Sequence, residues 1–405
     1  MEIDLASFIV PAFFLFVVLE WWIVSRRKDT YFKFESSVSN ISVGIAERML
    51  DLMLSGIFIA SFFYIYEHWR IFTIPTYWWI YVLLLPLTDL VWYWYHRMGH
   101  EVNILWAAHI VHHQSEEFNY TVAARITTIQ SFIRHCFWCV LPLLGFQPEA
   151  VVVMLVVHGG YSFFTHTRAI NKMGWLEYVL ITPSHHRVHH ASNEKYLNKN
   201  YGDLFVFWDK LFGTFQKEEE EPSYGLTHNL KSNSFIWQHF HYYAEIWGAA
   251  RKTPGFWGKL AVVFGKPETM DQDVRPEMER QLLPEKSRLR LSAVLKRYVL
   301  IQVILSCLLL LGFSFGFVYL QLIEKIALFL LVLVTLINCG ALLEQRKWIF
   351  YLESARLLIV LTYLSYTFDQ WWMFVLLYPV LILATCSNSL ERLYYRILYG
   401  KAIRY

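Results

Sequence analysis

Apolar residues run along the chain in long blocks separated by short polar breaks. Blocks at residues 6–24, 41–66, 77–95, 298–320 and 326–343 match the roughly 20 residues that a helix needs to cross a hydrocarbon layer. The second carries Glu47, Arg48 and Asp51, which make its first turns polar, and the third is rich in Trp and Tyr. Blocks at 129–146 and 149–164 predict a helical hairpin turned at 145–148, each arm near the lower length limit for a span. A short block at 357–366 and another at 371–385 follow. The pattern predicts an all-α integral membrane protein with about nine transmembrane or membrane-embedded helices. Residues 167–297 are more polar, with the acidic run 218–221 and the basic stretch 286–297, and predict a cytosolic layer.

Four sections result: N-terminal anchor helices at 1–75, a histidine-bearing core at 76–217, a cytosolic connecting region at 218–297 and C-terminal membrane helices at 298–405. No internal repeat or low-complexity linker separates them. With the N-terminus outside and nine crossings, the outer loops hold only Arg70 and Lys325. The clusters at 26–28, 286–297 and 346–347 and the tail residues Arg392, Arg396, Lys401 and Arg404 then face the cytosol, as the positive-inside rule expects. The first block lacks a small-residue cleavage site and reads as a retained anchor.

Composition agrees with this picture. Of 405 residues, 56% are hydrophobic, 18% aromatic and 17% charged, whereas soluble domains average about 45–50% apolar and about 25% charged. Mean hydropathy is +0.33. These values exclude a disordered chain, a coiled coil and a disulfide-rich module. A net charge of +3, with no basic run interleaved with stacking aromatics, excludes nucleic acid as a partner. The five Cys lie in apolar stretches, and the single CxxC (Cys136, Cys139) has no second pair to complete a zinc site. No Gly-rich phosphate loop, dinucleotide fingerprint or G-x-S-x-G occurs, so any reducing equivalents come from a separate donor.

The 16 His are the anomaly in so apolar a chain. His96 and His100 are four apart at the end of the third block. His109, His112 and His113 form HxxHH, and His186, His189 and His190 form a second HxxHH preceded by His185. Residues three and four apart share a helix face, so each set is expected to aim its imidazoles one way. Neutral imidazole ligates Zn, Cu, Fe and Ni, and eight rings exceed the needs of one ion, which points to a di-metal centre on a cytosol-facing helical cap. A neutral cage also costs less near hydrocarbon than carboxylates would. Asp89, seven residues before His96, is expected to accept a ring N–H from a ligating His. A helix cap, or an ion pair with Arg97 or Arg134, is its alternative. His158 reads as a packing or supporting residue. Glu116 and Glu117 read first as a surface pair, and His68, His135, His228, His239 and His241 as structural.

The order HX3H, HX2HH, HX2HH resembles that of the membrane fatty acid hydroxylase and sterol desaturase superfamily of non-haem di-iron oxygenases. The runs TPSHHRVHH (182–190), NYG (200–202) and WDKLFGT (208–214) resemble its terminal signature. Within it, YHRMGHEVNILW (95–106), YGLTH (224–228) and PGFWGK (254–259) are similar to the alkylglycerol monooxygenase family. The resemblance implies two Fe ions, O2 as co-substrate and tetrahydrobiopterin as reductant, with a separate pterin-regenerating reductase as a possible partner. It implies oxygen insertion at the alkyl carbon next to the ether oxygen of an alkylglycerol or related ether lipid. The hemiacetal then collapses to a fatty aldehyde and a glycerol derivative. By the same resemblance the eight box histidines are iron ligands, His166 is a ninth, and His185 either ligates or fixes a neighbouring ring. Glu101 is implied in pterin binding or in support of a ligating histidine, with a plain solvated Glu as the alternative.

Two other readings remain at this point: the same chemistry on a sterol, fatty acyl or carotenoid substrate, and a non-enzymatic metal transporter or lipid-binding protein. The expected location is a multi-pass position in an endoplasmic reticulum or bacterial inner membrane.

Overall fold

A computed structural model describes residues 9–230, 232–283 and 291–400. The segment 286–290 of the basic stretch and the tail residues Lys401 and Arg404 lie outside the described residues. Eighteen α-helices follow one another among the described residues. The N-terminal ones are α1 (Ile9–Arg27), α2 (Phe34–Trp69), α3 (Trp78–Glu101), α4 (Asn103–His113), α5 (Tyr120–Ala123), α6 (Thr128–Trp138), α7 (Val140–Leu144) and α8 (Pro148–Thr165). A loop-rich cap holds α9 (Pro183–His189), α10 (Phe207–Leu211), α11 (Phe235–Lys252), α12 (Phe256–Phe264) and α13 (Val274–Leu282). The C-terminal helices are α14 (Ala293–Gly316), α15 (Leu322–Leu343), α16 (Ile349–Thr367), α17 (Trp372–Thr385) and α18 (Asn388–Tyr399). Two isolated antiparallel bridges, Leu180–Phe205 and Ala191–Tyr224, are the β pairing found among the described residues.

Among the described residues every apolar block is largely helical. Five helices, α2, α8, α14, α15 and α16, are long and apolar enough to cross a membrane, and the chain is a multi-pass membrane protein. The block at 129–146 differs from expectation: it breaks into α6 and α7 at Cys139. Pro142 has no N–H to give to the carbonyl of Trp138, so a continuous helix would lose a bond there. α16 is longer than the apolar block 357–366 predicted, because Glu353 and Arg356 pair within it and Tyr298 Oη donates to Glu353 at 2.6 Å. Paired charges let the helix extend where isolated ones would have ended it. Trp78, Trp257 and Trp371 present most of their surface outward.

The 36-residue α2 organises the molecule. At 1.5 Å per residue it is about 54 Å long, well beyond a hydrocarbon core of about 30 Å. Its first sixteen positions carry most of its buried residues, including Asn40, Ser42 and Glu47, and its outer half is largely exposed and apolar. Val43 packs with Ile110, Val111 and Tyr242 of the cap. Ile45, Ala46 and Met49 pack with Leu310, Phe313 and Leu336 of α14 and α15. Phe62 packs with Leu84, Trp138 and Val151. One helix therefore joins the cap, the C-terminal bundle and the hairpin.

Close approach at Gly44 makes this possible. A Cβ there would lie 2.6 Å from the Ala124 carbonyl oxygen and 2.7 Å from the Ala124 Cβ, both too close for contact. Gly44→Ala is expected to destabilise the fold by about 1–3 kcal/mol through overpacking, read as a lower thermal midpoint. Gly56→Ala, on the same helix with nothing within 4 Å of the added carbon, is the control and leaves the midpoint in place.

Candidate metal centre

Four short structures deliver the histidines. The last turns of α3 carry His96 and His100, and α4 carries His109, His112 and His113. Extended Val102 separates the two helices and turns the second across the first. His166 follows α8 directly as its C-terminal cap. α9 starts with Thr182 as N-cap and Pro183 in the first helical position, carries His186 and His189, and ends at His190.

The rings form two adjacent groups. His96, His100, His109, His113 and His189 offer ligand atoms that lie within 4.8 Å of one another, as do His112, His166, His186 and His190. The grouping crosses the sequence boxes. In each HxxHH the first and last residues, one helical turn apart, join the same group, and the middle one joins the other. His109 and His113 thus go to the first group and His112 to the second; His186 and His190 go to the second and His189 to the first. The expectation that each HxxHH aims three rings one way is corrected here. Positions i and i+3 differ by about 60° around a helix, enough to reach the neighbouring group.

The Nε2 atoms converge. His109 Nε2 lies 3.1 Å from those of His96 and His113. His166 Nε2 lies 3.1 Å from that of His112 and 2.9 Å from that of His186, and His190 to His186 is 3.2 Å. Nitrogens bound cis to one metal at about 2.1 Å sit about 3 Å apart. Tautomers decide what these contacts are. His112 Nδ1–H donates to the Arg125 carbonyl at 3.3 Å and His166 Nδ1–H to the Ser162 carbonyl at 2.8 Å. A carbonyl only accepts, so both Nε2 atoms are bare lone pairs facing each other. In the first group His96 Nδ1–H goes to the Tyr201 carbonyl (2.8 Å) and His189 Nδ1–H to the Lys199 carbonyl (2.9 Å). His189 Nε2 and His100 Nε2 are buried with no hydrogen-bond partner. Facing lone pairs and orphaned nitrogens fit a cation in each group. Burial, reinforced by neighbouring rings, holds His112, His113, His186 and His190 well below the usual histidine pKa, so they are neutral ligands at physiological pH.

The supporting contacts explain the terminal motifs. Asp209 accepts the Tyr201 and Gly202 N–H groups at 2.7 and 2.9 Å and the Thr214 hydroxyl at 2.7 Å, fixing the carbonyl that holds His96. A Cβ on Gly202 would meet Asp209 Oδ2 and the Phe205 carbonyl, each at 2.8 Å, so only glycine fits. Asn200 ties the His185 carbonyl to that of Gln216. Gln130 reaches His109 Nδ1 at 3.0 Å. Trp106 and Tyr201 wall the first group, and Phe118 the second. Of these, NYG and WDKLFGT were visible as motifs; Gln130 and Arg125 carried no sequence signal.

Three expected site residues lie elsewhere. His185 is outside both groups: its Nδ1 accepts the Thr182 N–H at 3.4 Å in a capping box, and its ring packs on Phe215. Asp89 touches no box histidine. Seven residues put it about 10 Å along α3 from His96. Its two oxygens instead accept the Leu204 and Phe205 N–H groups, each at 2.9 Å. His158 lies beside it, 2.9 Å from Asp203 and 3.6 Å from Asp89, so the three form a separate buried cluster tying α3 and α8 to the 201–205 loop. Neither Arg97 nor Arg134 pairs with Asp89. Arg97 pairs instead with Glu101 at 2.9 Å, and it also donates to Tyr93 Oη, which contacts Thr214 Oγ1. Glu117 is buried and paired with Lys33 at 2.5 Å, whereas Glu116 is exposed.

A family model described as fatty acid hydroxylase matches residues 81–214, the segment that holds every histidine of both groups. Alkylglycerol monooxygenase of Homo sapiens is 34% identical over 367 residues, covering 87% of this chain and 80% of that protein. The chain belongs to the alkylglycerol monooxygenase family. The Danio rerio alkylglycerol monooxygenase is 31% identical, covering 85% of this chain and 78% of its own. Ornithine lipid hydroxylase OlsE of Rhizobium tropici is 30% identical over only 35% of this chain. No solved structure matches. Alkylglycerol monooxygenases belong among the non-haem iron hydroxylases, so this member is an oxidoreductase whose histidine groups could hold metal. The transporter and lipid-carrier readings are set aside on that ground.

Two outcomes check the assignment. His185→Gln keeps the capping box, since Gln serves at that position, and is expected to retain wild-type metal content; His186→Ala is expected to lose metal. Equal metal loss in both would place His185 in the coordination sphere after all. His158→Ala leaves Asp89 and Asp203 facing each other and is expected to cost about 3–5 kcal/mol, measured as a fall in the thermal midpoint.

Proposed function

We propose that this chain is a membrane-bound di-iron monooxygenase that cleaves the O-alkyl bond of glyceryl ethers with O2 and a tetrahydropterin. His96, His100, His109, His113 and His189 would hold one iron, and His112, His166, His186 and His190 the other. Imidazole suits iron among the first-row metals, and two bare nitrogens 3.1 Å apart (His112 and His166) are the observation that carries the reading. When bound, the iron pair supplies the activation of O2.

The rest is done by the protein. Backbone carbonyls at 125, 162, 199 and 201 keep the Nδ1 atoms of His112, His166, His189 and His96 protonated and their Nε2 atoms aimed inward. Glu101 anchors Arg97, which holds Tyr93 against Thr214 and so steadies the loop behind His96. Asp89 steadies the same loop through Leu204 and Phe205. Both are positioning residues in this reading. The aromatic walls exclude water from a site where stray protons would divert the oxidant.

Hydroxylation at the alkyl carbon bonded to the ether oxygen gives a hemiacetal. Its O–H proton passes to the glyceryl oxygen as the C–O bond breaks, leaving a fatty aldehyde and a glycerol derivative. The basic flank supports a cytosolic active site: Arg27 at the end of α1 donates to the Ala169 carbonyl, three residues from His166. By the positive-inside rule that side is cytosolic.

Purified protein is expected to carry about two iron ions per chain and to release fatty aldehyde from an alkylglycerol when given O2 and tetrahydrobiopterin. His113→Ala and His189→Ala are expected to lose metal and activity together. One tightly bound zinc with no iron, or turnover of sterols and not of alkylglycerol, would overturn it.

A further inference from the structure

Of the helices in the cap, α12 suits water least. It has nine residues, FWGKLAVVF, and none of them is buried. Phe256, Trp257 and Phe264 are 68%, 79% and 61% exposed. At about 100° per residue these three and Ala261 fall within an arc of about 140°. Val262 and Val263, outside that arc, pack against the cluster of Val43, Ile110 and Tyr242. A one-sided apolar strip rich in aromatics does not fit a solvated layer.

Its position says what covers it. The α11–α12 unit is fixed at both ends to helices that meet the membrane. α11 starts against α15, which is long and apolar enough to cross. A Cβ on Gly340, three residues before the end of α15, would lie 2.4 Å from the Asn233 carbonyl oxygen and 2.9 Å from the Phe235 nitrogen. α12 ends against the start of α4. The Asn103 N–H donates to the Gly265 carbonyl and the Asn103 side-chain amide to the Val262 carbonyl, each at 2.8 Å. α4 in turn shares the second histidine group with His166, which caps α8, another helix able to cross. A helix held between the ends of such spans lies along the membrane boundary. Ile236, Phe240 and Trp247, on one face of α11, are exposed as well. Arg251, Lys259 and Lys266 are exposed before, within and after α12, and the neighbouring acid Glu268 is occupied by the Asn198 amide at 2.6 Å. Aromatic residues edged by cations match the headgroup–acyl boundary of a phospholipid leaflet.

We infer that α12 is seated in the lipid leaflet on the histidine side, and that an alkyl-chain substrate passes along it to the first histidine group; the second part rests on the monooxygenase reading. The side chains form an apolar route. Trp257 and Phe264 meet the lipid. Val262 and Val263 pack in the same cluster as Trp106, whose ring centre is 4.8 Å from that of His100. The route ends where α12 is tied to the ligand-bearing segments. Asn103 opens α4, and Glu268 holds Asn198 beside Lys199, whose carbonyl takes the His189 Nδ1–H.

The test uses the full chain in nanodiscs of phosphatidylcholine and phosphatidylserine, with the photoprobe p-benzoylphenylalanine placed at one position at a time. At position 257 it is expected to give phospholipid adducts by mass spectrometry at a yield similar to that at Leu308, an exposed residue of the apolar α14. The yield is expected to be at least tenfold above that at Glu219, in the acidic run. No lipid adduct at 257, or a crosslink there to a second protein chain, overturns the seat and with it the route. Trp257→Ser combined with Phe264→Ser is expected to raise the KM for alkylglycerol severalfold, with kcat and metal content unchanged. An unchanged KM overturns the route. Wild-type protein that gives the lipid adduct but cleaves no ether fails the functional reading alone.

Discussion

Two lone pairs cannot rest 3 Å apart in a dry interior without a positive charge between them. His112 and His166 are held in that arrangement because each has spent its only ring proton on a backbone carbonyl. Most of the surrounding architecture serves to maintain it. Arg125 and Ser162 supply the carbonyls, and α9, capped by Thr182 and His185, brings His186 and His190 to the same point. A metal held there would be linked to the fold: its binding free energy would offset the cost of concentrating nine desolvated imidazoles in one place.

The choice of neutral ligands suits the setting. Each ring is uncharged before the metal arrives, so the empty centre does not carry the burial penalty of a carboxylate cage. Several charges near the site are paired with one another. Arg187 grips Glu218, Glu101 grips Arg97, and the Asp89–His158–Asp203 cluster ties the 201–205 loop to two helices.

Much of this was legible in the chain. The apolar blocks located the five helices long enough to cross a membrane, though not the 18-residue α11 of the cap, and the spacing of the histidines announced a centre that could hold metal. What could not be read was which ring goes where. Spacing places i, i+3 and i+4 on one face, but the division of His112 from His113 depends on how α4 meets α9, which is a tertiary fact. Asp89 was misplaced for a similar reason. Its position on the face of His96 was read as proximity, although two helical turns separate them and the loop at 204–205 returns from a hundred residues away to claim it. His185 looked like part of the box because it adjoins it, while its side chain is committed to starting the helix that presents the others. The break at Cys139 was foreshadowed by Pro142, but Gln130 and Arg125 support the site without any motif to mark them.

The crossed grouping of the boxes has a further consequence. Because α4 and α9 each give ligands to both positions, neither position is complete within one segment of chain. Occupying one orders both helices, and that ordering need not be repeated for the second. In the proposed di-iron enzyme the two ions would then load as a cooperative pair, with a half-filled centre the least populated of its states.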